Sequence, residues 1–191
     1  MYKEVFSLLA IALSFLAFAP YIRSIRLGNT KPHVFSWVIW SVTTLIVFFA
    51  QLADGAGVGA WAIGLSGAIT LYVTFLACVH QSDRKSTVTD RVFLVAALFS
   101  VPLWYFTEDP LWAVVLLTVV DSLGFGPTFG KAYDKPFEEN MSLYVITVFR
   151  NFFVIAALEN YSMTTVLFPA AMSVFSILLI GMVMLRRKTW R

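Results

Sequence analysis

The chain is short of charge, of cysteine and of polar stretches, and each shortage removes a class of protein. Asp, Glu, Lys and Arg together make up 13% of 191 residues, about half their share in soluble globular domains, so a water-soluble fold does not fit. The one cysteine, Cys78, leaves no intramolecular disulfide and no thiolate cluster for a metal; it reads as a small apolar packing residue. The two histidines, His33 and His80, fall at helix ends without ligand spacing. There is no HExxH, no pair of catalytic carboxylates, no nucleophile motif and no phosphate-binding glycine loop. Neither an enzyme nor an ATPase is expected, and no cofactor or metal is implied. The last apolar run carries no lysine for a retinal linkage. No basic patch interleaved with aromatics points to nucleic acid, and no linker or low-complexity tract divides the chain.

What fills the sequence instead is apolar. Hydrophobic residues make up 59% and the mean hydropathy is +0.79. Seven runs, near Val5 to Ile22, Val34 to Ala53, Ala56 to Val79, Val92 to Phe106, Leu111 to Phe129, Met141 to Leu158 and Met163 to Leu185, approach or exceed the length needed to cross a hydrocarbon core of about 30 Å. The fourth is the shortest and contains Pro102. The expected fold is all-α and integral to the membrane, a single domain over 1–191. Ala17, Phe18 and Ala19 imitate a signal-peptide cleavage site, but Pro20 follows directly and the positive charges come after the run. The first run is therefore expected to stay as a helix.

Lysine and arginine are unevenly placed for seven crossings. Arg23, Arg26, Lys31, Arg84, Lys85, Arg91, Lys131, Lys135, Arg186, Arg187, Lys188 and Arg191 fall on one side, and Lys3 alone on the other. Because cytoplasmic loops retain basic residues, the amino terminus is expected outside and the carboxyl terminus in the cytoplasm, in the cell (inner) membrane. Removing the fourth crossing would put Lys131 and Lys135 on the wrong side, so the alternation supports that helix.

The chain also repeats itself. Ser14 to Pro20, SFLAFAP, recurs as Asp121 to Pro127, DSLGFGP, with leucine, phenylalanine and proline kept and two small residues matched. Helices 2 and 6, and 3 and 7, then fall into register at an offset of 106, pairing Ser36 with Ser142, Ser41 with Thr147, Thr44 with Arg150 and Leu52 with Leu158. The plan is three plus one plus three: a triple-helix repeat over 1–80, a linker helix at 91–107 and a second repeat over 110–187. An odd linker gives both triplets the same orientation, so they are parallel repeats about an axis along the membrane normal.

On this helix plan and on Pro20 and Pro127, each followed by a basic loop and then by Ser36 or Ser142, the chain resembles the PQ-loop and SWEET-like superfamily of seven-helix membrane transporters. Tyr21 and Thr128 stand at the family's glutamine positions, and no asparagine lies in helices 3 or 7, where SWEET sugar carriers place theirs. The resemblance implies the outside amino terminus and a carrier of small polar solutes.

Asp121 and Arg150 are charges inside the spans. Each costs roughly 2.5–3.5 kcal/mol at a helix centre by insertion scales, so such residues pair, face a cavity, or both. Their similar depths on helices 5 and 6 predict a salt bridge. Thr147, Arg150 and Asn151, at i, i+3 and i+4, share one helix face, matched by Ser41 and Thr44 in helix 2, so two polar stripes are expected to meet in a central pocket. Trp37 and Trp40 lie one turn apart: Trp37 reads as a pocket wall or an interfacial belt residue, Trp40 as a pocket wall or packing. The expected substrate-binding set is Asp121, Arg150, Asn151, Thr147, Thr44, Ser41 and Trp40. Pro20, Gly124, Gly126 and Pro127 form an expected hinge, and Ala56, Ala60, Gly64 and Ala68 a small-residue packing stripe. The function expected is a facilitator or secondary transporter of a small polar solute, anionic or zwitterionic, working by alternating access in the lipid bilayer. The alternative is a non-transporting sensor or partner-binding scaffold with a structural Asp–Arg pair. A homo-oligomer is left open.

Overall fold

The computed structural model describes residues 2–29, 32–79, 86–134, 136–137 and 141–189, together with the side chains of these residues except Pro127 and Lys131. His80 lies outside them. The described chain is helical throughout: α1 Tyr2–Arg26, α2 Val34–Ala53, α3 Trp61–Val79 preceded by a 3₁₀ turn at Gly57–Ala60, α4 Val88–Thr107, α5 Pro110–Asp134, α6 Met141–Ala157 and α7 Met163–Thr189. Six of these segments are long and apolar enough to cross a bilayer, and α6 is a shorter apolar helix of 17 residues. This is an all-α, multi-pass membrane protein.

Helix ends follow local chemistry. His33 caps α2, its Nδ1 accepting the Ser36 N–H at 3.3 Å, which gives this histidine a structural role. At α4, Thr87 and Asp90 form a reciprocal capping box. It starts the helix four residues before the expected Val92, because capping satisfies the first free amides there. Pro102 sits inside α4 without ending it.

Successive helices alternate between two ends. One holds Arg23, Arg26, Arg186 and Arg187, and is called here the basic end. The other, the acidic end, holds Glu4, Asp54, Glu108, Asp109 and Glu159 against Lys3. Within residues 2–79, α3 packs against both α1 and α2; within residues 110–189, α7 packs against both α5 and α6. The third helix of each group thus stands between the other two. Across the groups α1 meets α6 and α2 meets α5, while α4 lies on α5 and α2.

The apolar core is undivided at the acidic end and forks towards the basic end. One cluster joins Ala10, Val47, Ile63, Leu117, Val154 and Phe168, drawn from both groups. Nearer the basic end, Ile25, Trp37, Ile69, Val73 and Leu76 form a separate core for α1–α3. Ala132, Leu179 and Val183 form another for α5 and α7.

Loops close the acidic end. The Glu159 N–H donates to the Ala56 carbonyl at 3.0 Å, Asn160 Nδ2 to the Asp54 carbonyl at 2.8 Å, and the Ser162 hydroxyl to the Asp54 carboxylate. Below them, Pro169 has no N–H to give the Thr165 carbonyl one turn earlier. The fully buried Gln51 supplies that bond from α2, Nε2 to oxygen at 2.7 Å.

Small residues serve where backbones approach. A Cβ on Gly59 would meet the Leu158 backbone at 2.8 Å, and one on Gly64 the Phe48 ring at 2.7 Å. The stripe on α3 ends there, since Ala68 is exposed. Cys78 is exposed too, contrary to a packing role. Gly124, Gly126 and Gly130 of α5 have nothing within 4 Å of an added Cβ, so close packing does not require them.

Two outcomes follow for thermal unfolding in detergent. Gly59→Ala should destabilise by about 1–3 kcal/mol through overpacking, whereas Gly124→Ala should stabilise by up to about 1 kcal/mol by helix propensity. Gln51→Leu should cost about 1–3 kcal/mol by stranding the Thr165 carbonyl. Most of that loss should disappear in a Pro169→Ala background, where the helix supplies its own donor.

Candidate functional site

Polar side chains gather where the core forks. On α2, Thr43 and Thr44 lie between Trp37 of the α1–α3 core and Val47 of the shared core; on α3, Ser66 lies between Ile63 and Ile69. On α5, Asp121 follows Leu117 and precedes Ala132, and on α6 Arg150 and Asn151 lie between Tyr144 and Val154. Thr43, Thr44, Ser66, Asp121 and Asn151 are all buried.

Arg150 is held by its own neighbour and by α3. Its Nε and Nη2 both donate to Asn151 Oδ1, at 3.1 and 2.7 Å, and Nη1 donates to Ser66 Oγ at 2.6 Å. A guanidinium has five N–H donors, so capacity remains. Asn151 is fully buried, and its Nδ2 has no hydrogen-bond partner among the described residues.

Asp121 is 9% exposed. The Thr43 hydroxyl lies against its carboxylate, while Oδ1 has no partner among the described residues. The expected salt bridge to Arg150 is not formed. The depths are comparable, but α5 and α6 are not packing neighbours; α7 lies against both. Reading helices adjacent in sequence as adjacent in space was the error.

The expected polar stripes also divide. Ser41 turns into the α1–α3 group, 2.9 Å from Thr74 Oγ1 and 2.6 Å from the Trp37 carbonyl. Thr147 bonds back to the Leu143 carbonyl at 2.9 Å. Neither side chain bonds to the Arg150 group, whereas Thr44 is buried beside it in sequence register, between Ser41 and Val47. Of the two tryptophans, Trp40 packs on its neighbour, one of the two roles expected for it, and Trp37 departs from the belt reading. Trp37 is 7% exposed and stacks on Tyr21 at 5.1 Å, so it is core and not a belt residue, and Trp40 is 40% exposed with its ring against Trp37. Of the hinge residues, Pro20 lies within a continuous α1, and the α5 backbone runs unbroken past Gly124 and Gly126.

Ser66, Thr43 and Gln51 belong to the polar interior and were missed in the sequence. A signal existed for two of them. Gln51 is an amide inside an apolar run, and Ser66 shares a face of α3 with Thr70 at i+4.

Clefts on the outside of the bundle are apolar. One is lined by Val92, Val95, Phe99 and Leu116, another by Phe15, Phe18, Ile22 and Ile69 with Arg23 and Arg26 at its rim. Such surfaces suit lipid chains.

Because Asp121 and Arg150 are held separately, Asp121→Asn and Arg150→Gln should act additively on unfolding free energy in the absence of solute, within about 0.5 kcal/mol. A buried ion pair would instead show a large coupling, since removing one partner of such a pair costs about 3–5 kcal/mol. A double-mutant cycle in detergent measures this.

Comparison with protein-family models, curated proteins and solved structures returns no match to this chain.

Proposed function

We propose that this chain is a membrane facilitator or secondary transporter of a small polar solute. It is built as two parallel triple-helix units, 1–80 and 110–187, joined by α4 as linker, and works by alternating access between them. The observation that carries this reading is the forked core with two intramembrane charges near the fork, Asp121 buried and Arg150 half-buried. Two bundles that share one core at the acidic end and have separate cores at the basic end can part there, and the polar side chains lie where such a parting would stop. Intramembrane ionisable residues mark solute paths more often than they serve packing.

The helix neighbours support the repeat. Exchanging α1 with α5 and α2 with α6 turns the α1–α6 contact into the α2–α5 contact, as a twofold relation requires. The register offset of 106 also pairs Asp54 with Asn160, the two residues that bond across the acidic end. With the basic end in the cytoplasm, the amino terminus lies outside and the arrangement is sealed on the outer face of the cell membrane. The PQ-loop and SWEET-like resemblance of the sequence carries the same expectation. The rival reading, a sensor or scaffold with a structural Asp–Arg pair, rested on an ion pair that would hold α5 to α6. With the two side chains held apart, that premise is missing.

Alternating access requires the acidic end to open. A Cβ on Gly55 would lie 3.8 Å from the Asn160 Cβ, the mean spacing in disulfides being about 3.8 Å. In a Cys78→Ser background, Gly55→Cys with Asn160→Cys should therefore cross-link on oxidation, despite a cost of about 1–2 kcal/mol at the left-handed Gly55. Solute counterflow in proteoliposomes should stop in the oxidised protein and return with reductant. Undiminished counterflow after full cross-linking would rule out opening at this end. No counterflow of any sugar, amino acid, vitamin or carboxylate by the unmodified protein would favour the scaffold.

A further inference from the structure

We infer that the fork layer is a two-ended recognition site that selects a zwitterionic solute, with an ammonium at Asp121 and a carboxylate at Arg150 and Asn151. The inference rests on the carrier reading and narrows it to one substrate class.

Spare bonding capacity is the first argument. Among the described residues three buried polar atoms have no partner: Asp121 Oδ1, an acceptor, and Asn151 Nδ2, a donor, both in this layer, and Gln51 Oε1, which lies two turns along α2 towards the acidic end. Arg150 has used three N–H groups, on Asn151 and Ser66, and keeps two of its five. Buried polar atoms without partners are rare in folded proteins, and each calls for an explanation. Here the acceptor sits on α5 and the donors on α6, on the two sides of the interface formed with α2 and α3.

Charge balance is the second. The two groups do not neutralise each other, yet their sum is zero. A carboxylate-only solute would satisfy Arg150 and leave Asp121 stranded. An amine-only solute would do the reverse, and a sugar would compensate neither charge. A solute carrying both charges on one small framework answers both, and leaves no uncompensated ion in a low-dielectric layer where such an ion is costly.

Position is the third. Thr43, which lies against Asp121, is nine residues into α2 from Val34, and Arg150 is nine into α6 from Met141, both counted from the basic end. Both helices rise at about 1.5 Å per residue, so the two charges occupy one layer. Arg150 lies between Tyr144 of the separate core and Val154 of the shared one, whereas on α5 the shared core reaches past Asp121 to Phe125 before the separate one begins at Phe129.

The test is counterflow in proteoliposomes with four labelled pools: the twenty standard L-amino acids, short monocarboxylates, primary amines, and mono- and disaccharides. The amino-acid pool should exchange above protein-free vesicles, and the other three should not. For the amino acid that exchanges best, Asp121→Asn and Arg150→Gln should each lower exchange about tenfold or more, the loss of one charge-assisted contact. Competition by its two halves should also change. The matching carboxylate without the amine should compete about tenfold better in Asp121→Asn than in the parent, and the matching amine better in Arg150→Gln. A merely structural role would not move these preferences in opposite directions. Exchange of saccharides or monocarboxylates with none of amino acids would overturn the inference and leave the carrier standing. Amino-acid exchange indifferent to both substitutions would overturn the site, and exchange of no pool would overturn the carrier reading as well.

Discussion

A polar group inside hydrocarbon has no water to fall back on, and this constraint decides where the helices of this protein touch. Every backbone carbonyl and every buried side chain must find its partner in the chain itself. Pro169 removes one donor from α7, and the amide of Gln51 crosses from α2 to replace it. Asp54 and Asn160 turn two exposed connections into a single seam. These bonds link segments far apart in sequence and lie towards the same end as the shared apolar core. The seam at the acidic end is thus polar in its bonds and apolar in its bulk. The two bonds differ in setting: the Gln51 bond is buried, where a low dielectric strengthens it, whereas the Asn160–Asp54 bond is exposed.

The same constraint makes the middle of the molecule unusual. Arg150 is satisfied locally, by the next residue and by a hydroxyl from α3. Asp121 lies against the Thr43 hydroxyl, which donates to the Trp40 carbonyl at 3.2 Å, and keeps one oxygen without a partner among the described residues. Opposite charges so close in depth would gain by meeting, but the helix between them keeps them apart. An arrangement that spends its polar contacts on orienting each charge separately, and leaves atoms over, is poorly explained as a staple between helices. Staples are stable when both ends are fully used.

Much of this architecture was legible in the sequence, and the reason is solvent. Apolar runs report the bilayer directly, so all seven helices fall where the hydropathy places them, from Val34–Ala53 to Met141–Ala157. Their ends run on where capping groups or polar turns extend the helix beyond the apolar run, as Thr87 and Asp90 do for α4. Counted along the helices, Thr43, which lies against Asp121, and Arg150 are each nine residues from the basic-end start of α2 and α6. What the sequence did not disclose is azimuth. Whether Ser41 faces Thr74 inside one triplet or Arg150 across the interface depends on the rotation of α2. In an all-apolar helix, the hydrophobic pattern that would reveal that rotation in a soluble protein is weak. Neighbour order was hidden for a related reason: α7 packs against both α5 and α6, and no composition signal records that choice.

The position of the seam has a geometric consequence for the proposed repeat. Two residues related by a twofold rotation can touch only close to the rotation axis, since distance from the axis sets half their separation. Asp54 and Asn160 are such a pair in the 106-residue register, and they bond directly. The axis must then leave the membrane through this seam at the acidic end. At the opposite end, Arg186 bonds to the Tyr133 carbonyl and Arg187 to that of Pro136, ties between α7 and the end of α5 and the residues after it, all inside the second triplet. A rotation of one triplet against the other leaves those ties intact, whereas it must break the Asp54–Asn160 seam if the acidic end is to open. In the proposed carrier, the barrier to exposing the charged layer on that side would reside in these hydrogen bonds and the apolar core beneath them, and solute binding would have to offset that cost.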